Sequence, residues 1–330
     1  MTNICPFFKK CGGCLFQDVP KLEYLQQKKK VVEDALRKKG ITFPVEDVIS
    51  IPAHTRRRAT FAYVKGKFGF NAYNSHQIVE ITECRILKPE LEQAIPTIRQ
   101  FIKTFGQNAD VAVLSTDFGL DITLISPKLK KLSLQQIEKT TDFCQKNPIA
   151  RFVVNDDILY QKVQLPFPPN VFMQPSEEGQ KTLIDLVLRG APDTGKAADL
   201  FCGLGTFTKP LHDKGLKTTG YDLTSPSIDA LKKAGYTAET RDLFRNPLMA
   251  DELNQFDFVV LDPARAGAQA QCIQLAKSTV PMVAMVSCHT GTLARDLKVL
   301  TDGGYTILSI TPVDQFIWSN HIETVTLLKK

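Results

Sequence analysis

Hydrophobic positions along the chain follow three rhythms in turn, and each predicts a different architecture. Over 19–39, Leu22, Leu25, Val32 and Leu36 fall near one face of a helix, basic residues crowd the other face, and Gly40 ends it. From Arg56 to about Leu165 short alternating runs take over, among them Thr60-Phe61-Ala62-Tyr63-Val64 and Val111-Ala112-Val113-Leu114, with Gly, Asn and Asp between them. These predict an antiparallel sheet with helices at 90–105 and Leu134–Lys146. Pro166, Pro168 and Pro169 block both ladder and helix, so 164–170 reads as a linker. Beyond it the rhythm is strand, helix, strand, with strands expected at 196–201, 217–222, 236–241, 256–262, 282–287, 305–311 and 323–328. That is the spacing of a doubly wound sheet.

Two domains are therefore expected, 1–165 and 166–330, and 330 residues suffice for two cores. With 43% hydrophobic and 23% charged residues, the composition excludes disordered, collagen-like and coiled-coil classes. No apolar run nears the roughly 18 residues needed to cross a bilayer, so no membrane partner is expected. Lys9 and Lys10 interrupt the N-terminus as a secretory signal, and a cytoplasmic monomer is the expectation. The net charge of +6 is unevenly spread: residues 1–70 hold 14 Lys and Arg against 6 Asp and Glu. A basic module beside a near-neutral one suits a polyanion, although a solvated helix face explains charge alone equally well.

Cysteine spacing narrows the chemistry. Cys5, Cys11 and Cys14 cluster around Cys-Gly-Gly-Cys, and Cys84 follows much later. In a reducing compartment a metal site is the better reading than disulfides. Four thiolates suit zinc and an iron–sulfur cluster alike; three clustered ligands and one remote lean towards a cubane. Cys144 and Cys272 read as inert core thiols.

In the second half, the first strand runs into Phe201-Cys202-Gly203-Leu204-Gly205-Thr206-Phe207 and the second ends in Asp222. A glycine turn followed by an acid at the next strand end is the layout for a nucleoside cofactor, the acid binding ribose hydroxyls. Without a third glycine at dinucleotide spacing, a class I methyltransferase is favoured over a dehydrogenase: Rossmann-like, seven-stranded, with the last strand antiparallel. Leu261-Asp262-Pro263-Ala264-Arg265 ends the fourth strand, and Cys288 follows the fifth at the same edge, just before a helix. Unpaired amides at that helix start are expected to stabilise its thiolate; a buried strand-end cysteine without chemistry is the alternative. A thiolate with a carboxylate such as Glu323 is what methylation of an unactivated pyrimidine carbon requires. Cysteine adds to C6, C5 takes the methyl group, and a base removes its proton.

Taken together these motifs resemble the S-adenosylmethionine-dependent RNA 5-methyluridine methyltransferases that carry a [4Fe-4S] cluster. The likeness spans nearly the whole chain through the four cysteines, Phe172-Met173-Gln174, 201–207, 261–265, 287–297 and His321-Ile322-Glu323. It implies Cys288 as nucleophile and Glu323 as general base. Gln174, Phe201, Thr206, Asp222, Asp242 and Asp262 would contact S-adenosylmethionine, and Cys5, Cys11, Cys14 and Cys84 would hold the cluster. The implied partner is structured RNA, ribosomal ahead of transfer RNA.

The chain departs from the family at Ser176, usually Asn; at His289-Thr290, usually Asn-Pro; at Ala264, usually Pro; and at Ile317, usually Pro. Many members begin with an OB-like barrel. Here the cysteines come first, so RNA capture is expected from 1–70, including Arg56, Arg57 and Arg58. Two alternatives stand: a cytosine-C5 RNA methyltransferase, disfavoured because no thiol accompanies Pro263-Ala264-Arg265, and a non-catalytic iron–sulfur RNA-binding protein with a degenerate methyltransferase fold.

Overall fold

The structure, a computed structural model, describes residues 4–330. Its first stretch holds α1 (Lys21–Arg37), β1 (Ile49–Ser50), β2 (Arg58–Val64), β3 (Lys67–Asn71), β4 (Ile78–Glu80) and α2 (Pro89–Ile102). Then come β5 (Ala109–Thr116), β6 (Gly119–Ile125), α3 (Leu134–Lys146), β7 (Ile149–Val154) and β8 (Asp157–Gln161). The remainder alternates α4 (Glu177–Gly190), β9 (Lys196–Leu200), α5 (Thr208–Asp213), β10 (Lys217–Asp222), α6 (Ser225–Lys233) and β11 (Thr237–Thr240). It closes with α7 (Ala250–Leu253), β12 (Phe258–Leu261), α8 (Gln269–Lys277), β13 (Met282–Ser287), α9 (Thr290–Asp302), β14 (Thr306–Asp314) and β15 (Glu323–Lys329).

Two compact units form, and their boundaries correct the expected division at 165/166. One takes the described residues up to Val19 with Pro52–Glu177 and Ile317–Ser319; the other takes Pro20–Ile51, Glu178–Phe316 and Asn320–Lys330. The basic helix α1 thus belongs with the C-terminal half. The reason lies in its buried face, which is Tyr24, Lys28, Val32 and Leu36 at strict four-residue spacing. Leu22, expected inside, is 72% exposed, and Lys28, expected among the solvated charges, is buried. Val32 and Leu36 join the core formed by β9, β12, β13 and α9, where each buried aliphatic side chain contributes about 1.5–3 kcal/mol.

The first unit is a seven-stranded sheet in the order β4-β3-β2-β5-β6-β7-β8. It is antiparallel as expected, except that β6 and β7 run parallel because α3 makes a crossover between them. A capping box starts α3: Ser133 Oγ accepts from Gln136 N–H at 3.2 Å and Gln136 Oε1 accepts from Ser133 N–H at 2.9 Å. Phe61, Phe68, Phe101 and Phe152 fill the face covered by the helices. On β6 and β7, buried Asp121 and Arg151 pair through two bonds of 2.9 and 2.6 Å, a bidentate geometry that satisfies both charges.

The second unit is an eight-stranded sheet, β1-β14-β15-β13-β12-β9-β10-β11. The seven expected strands are present, and Ile49–Ser50 adds an eighth that runs parallel to the end of β14. Only β15 is antiparallel, pairing with both β13 and β14. Strand order reverses at β9, which lies between β10 and β12. The carboxyl ends there are where open α/β sheets bind ligands.

Candidate active site

The turn after β9 is built for close approach. Phe201 takes φ +66°, a costly conformation for an aromatic residue, and Gly203 and Gly205 follow at +54° and +81°. The amides of Phe201 and Cys202 both donate to Tyr221 O, at 2.8 and 3.0 Å, tying the turn to β10. At the end of β10, Asp222 Oδ2 accepts from Gly203 N–H at 3.0 Å and Oδ1 from Thr224 N–H at 2.7 Å. After β11, Asp242 Oδ1 accepts from Phe244 N–H at 3.1 Å, and the Phe244 ring lies 5.1 Å from that of Phe201. Phe201, Thr206, Asp222, Asp242 and Asp262 thus all stand at the carboxyl edge of one sheet. Gln174 belongs to the other unit, where it is buried and its carbonyl accepts from Arg57 Nε at 3.0 Å.

Cys288 and Glu323 meet because β13 and β15 run antiparallel. Their ladder ends at Ser287 opposite Thr324, so Cys288 and Glu323 are the next pair outward. Glu323 is buried, 6% exposed, and its carboxyl is pushed up to about 7, chiefly by burial, against a hydrogen bond from Gln315 that lowers it. Asp262 is raised well above the usual carboxylate range by burial and by the charges of Glu323 and Asp199.

The thiol corrects the sequence expectation. Burial first, then Glu323 and Asp262, push Cys288 up to about 11, whereas a helix start was expected to depress it. At that helix start His289 Nδ1 caps α9, accepting from Thr292 N–H at 3.2 Å. The histidine that departs from the family pattern therefore does the work of a cap.

In the first unit, all four expected ligands are half-buried free thiols. Cys11 feels Cys5, Cys14 feels Cys11 and Cys5, and Cys84 feels Cys14 and Cys11. Cys84 is thus within electrostatic range of Cys11 and Cys14, although far from them in sequence. Gly12 is needed here, since a Cβ would lie 3.0 Å from the Tyr73 backbone. Among the described residues, no group of three or more His, Cys, Asp or Glu is drawn together to hold a metal ion. Arg56 faces Cys84 and Cys14, Arg57 is buried against Gln174 and lies 3.7 Å from Glu177, and Arg58 sits over the Phe172 ring. The arginine triplet expected to capture RNA is thus largely occupied within its own unit. Ser176 is buried and bridges to Arg56.

Two site residues escaped the sequence reading. Asp199, next to last in β9, is fully buried, held near 6 by that burial, and accepts from Thr208 Oγ1 at 2.6 Å. An acid just before a glycine turn was the available signal. Gln315 stood out only as one of the polar groups of 314–323, and its hydrogen bond to Glu323 emerges only in the fold.

Residues 235–330 match the family model described as tRNA (Uracil-5-)-methyltransferase. An uncharacterized RNA methyltransferase of Agrobacterium fabrum is 38% identical over 97% of this chain and 82% of its own length. A 23S rRNA (uracil(1939)-C(5))-methyltransferase, RlmD, of Vibrio parahaemolyticus is 28% identical over 99% of this chain and 81% of its own. In fold, the chain is similar to the tRNA (uracil-54, C5)-methyltransferase of Pyrococcus abyssi in complex with S-adenosyl-L-homocysteine. There the TM-score is 0.72 at 22% identity, over 96% of this chain and 85% of that one. No helix among the described residues is long and apolar enough to cross a membrane.

Proposed function

The chain belongs to the uracil-5 RNA methyltransferase family, and from that premise we propose that Cys288 and Glu323 carry out its chemistry on a uridine of ribosomal RNA. It is an enzyme that methylates uridine C5 in RNA with S-adenosylmethionine as methyl donor. The observation that carries the mechanism is the opposition of Cys288 and Glu323 one step beyond the Ser287–Thr324 pair.

The uridine must leave its stack to reach this edge. Cys288 loses its proton to solvent and its sulfur bonds to C6, which moves electron density onto C5. S-Adenosylmethionine supplies an electrophilic methyl group on a cationic sulfur. C5 takes that methyl group as the sulfonium–methyl bond breaks and S-adenosylhomocysteine leaves. Glu323 then removes the C5 proton, so that the C5–C6 double bond re-forms as the Cys288 sulfur leaves. A carboxyl held near 7 is matched to this task, being able to accept a proton at working pH. Asp199, Asp262 and Glu323 make a carboxylate-rich edge that a sulfonium would favour electrostatically. Asp222 would hold the ribose hydroxyls and Phe201, Thr206 and Asp242 the rest of the nucleoside.

Cys5, Cys11, Cys14 and Cys84 are the proposed ligands of a [4Fe-4S] cluster. The support is chemical: Cys11 and Cys14 interact with both Cys5 and Cys84, and the Arg56 guanidinium stands beside Cys14 and Cys84 to offset their charge. A single zinc ion needs every sulfur about 2.3 Å from one centre, whereas a four-iron cluster accommodates wider spacing. Such a cluster supplies a rigid junction, and every step of the methylation is polar. Ribosomal RNA is chosen as substrate because RlmD, matched over nearly the whole chain, acts on 23S rRNA.

The test is adduct trapping. Cys288→Ala should form no covalent complex with RNA, and Glu323→Gln should accumulate methylated RNA on the protein, stable to denaturation. A Glu323→Gln protein that turns over normally, or that never shows the shifted species, overturns the base.

A further inference from the structure

Lys28 is an unexpected charge to find inside. On α1 it lies one turn after Tyr24, and both are buried, 4% and 3% exposed. Its ammonium is 3.0 Å from Asp314 Oδ1 and also donates to the carbonyl of His321. Tyr24 OH donates to the other oxygen of the same carboxylate at 2.6 Å, and Lys28 Nζ stands 5.4 Å from the Tyr24 ring centroid.

Asp314 is the last residue of β14, and Glu323 is the first of β15. His321 lies two residues before Glu323. One ammonium therefore joins both ends of the connection 315–322 that leads into the base. Gln315, next to Asp314 and 5% exposed, is the residue that donates to the Glu323 carboxylate. Fixing Asp314 fixes where Gln315 starts, and Gln315 with the Val313–Glu323 pairing fixes the carboxylate.

An apolar pair would fill this space at least as well, because burying two charges is costly even when they meet. What it could not supply is directed bonding to a carboxylate and a carbonyl on opposite sides of a connection. We propose that Lys28 and Tyr24 are positioning residues for the catalytic base, holding the two ends of the 315–322 connection so that Gln315 and Glu323 stay in register. This rests on Glu323 being the base. It gives α1 a role in the reaction, in place of the role in RNA capture that its basic composition suggests.

The experiment separates the steps of a single turnover on RNA tritiated at uridine C5. Adduct formation reports the Cys288 addition, a labelled methyl group carried into the RNA reports methyl transfer, and tritium release reports proton removal. Lys28→Met should slow tritium release about 10- to 100-fold, as a misplaced reacting group does, with adduct formation and S-adenosylmethionine affinity unchanged. Tyr24→Phe, which keeps the ammonium, should slow it less. Because Lys28→Met leaves buried Asp314 without its counter-charge, the double variant Lys28→Met/Asp314→Leu is the control for folding. Its melting temperature should return towards that of the parent while tritium release stays slow. Recovery of tritium release in the double variant, or equal slowing of all steps in a folded Lys28→Met protein, overturns the proposal. A Glu323→Gln protein that traps no adduct overturns the base and the clamp together. If it traps adduct while Lys28→Met releases tritium at the parent rate, the clamp alone is overturned.

Discussion

Cys288 and Glu323 are the next pair outward past the end of the β13–β15 ladder, and the thiol is pushed up to about 11 by burial first, then by the charges of Glu323 and Asp262. In the proposed reaction, a nucleophile kept as a thiol by burial and nearby carboxylates is protected until a substrate covers the site. The two groups have separate tasks in sequence, so each has its own pH signature.

The first prediction concerns the base. As the proposed base, Glu323 would work as a carboxylate, so the rate of adduct resolution should rise with pH through about 7 and level off above it. The groups facing it are Gln315 from the end of β14, Asp262 beyond β12 and Cys288 beyond β13. Gln315 donates to the ionised form, so Gln315→Leu should move the midpoint upward. A pH profile of single-turnover resolution checks this; a midpoint that stays in place removes Gln315 from the base.

The second prediction is a stability effect of opposite sense. Glu323 and Asp199 have folded-state values of about 7 and about 6, both above the usual carboxylate range, and Asp262 is raised as well. A raised value means the folded state holds the proton more tightly. This contribution is complete below about pH 4 and is lost as pH rises through 6 and 7. Glu323→Gln should therefore raise the stability of the free protein by about 1–3 kcal/mol at pH 8 and by much less at pH 4.5. Denaturant titrations at the two pH values measure it, and equal effects at both would show that the carboxyl ionises freely.

Long-period patterns carried most of the fold in the sequence, and single burial decisions did not. Leu134–Lys146 was legible to the residue because Ser133 and Gln136 form a capping box. The α/β half was legible because glycine turns and strand-end acids recur at fixed spacing. The side of α1 facing inward was not, since the pattern counted Leu22 and overlooked Tyr24. A buried lysine offers no signal until its partner Asp314, distant in sequence, is known. For the same reason Cys288 was legible as a residue of interest but its ionisation was not: burial and two carboxylates outweigh a helix start already capped by His289.

The third prediction concerns the donor site. Asp222 binds the glycine turn through Gly203 N–H and would bind ribose hydroxyls through its remaining lone pairs. Hydrogen bonds to an ionised group contribute about 1.5–3 kcal/mol. Asp222→Ala should weaken S-adenosylmethionine binding by roughly ten- to a hundredfold and leave RNA affinity unchanged. Calorimetric titration showing unaltered affinity removes Asp222 from the site.

The fourth prediction separates the cysteines from the methyl-transfer chemistry. Burial and mutual repulsion raise Cys14 to about 11 and Cys84 to about 12, so without a counter-charge these thiols would stay protonated at neutral pH. Ligation requires the thiolates, and a bound metal supplies the positive charge that stabilises them. Arg56 supplies part of it in advance, facing Cys84 and Cys14. Protein purified without oxygen should therefore be brown, with about four irons per chain. Cys84→Ser should lower the iron content, and Arg56→Met should do so to a smaller degree. S-Adenosylmethionine affinity should stay within about twofold in Cys84→Ser, because Phe201, Asp222 and Asp242 belong to the other compact unit. RNA affinity should fall, because the proposed cluster would tie the N-terminal loop to the segment that follows β4. Colourless protein carrying one zinc per chain would overturn the cluster; lost cofactor binding in Cys84→Ser would show that the donor site depends on the cysteines after all.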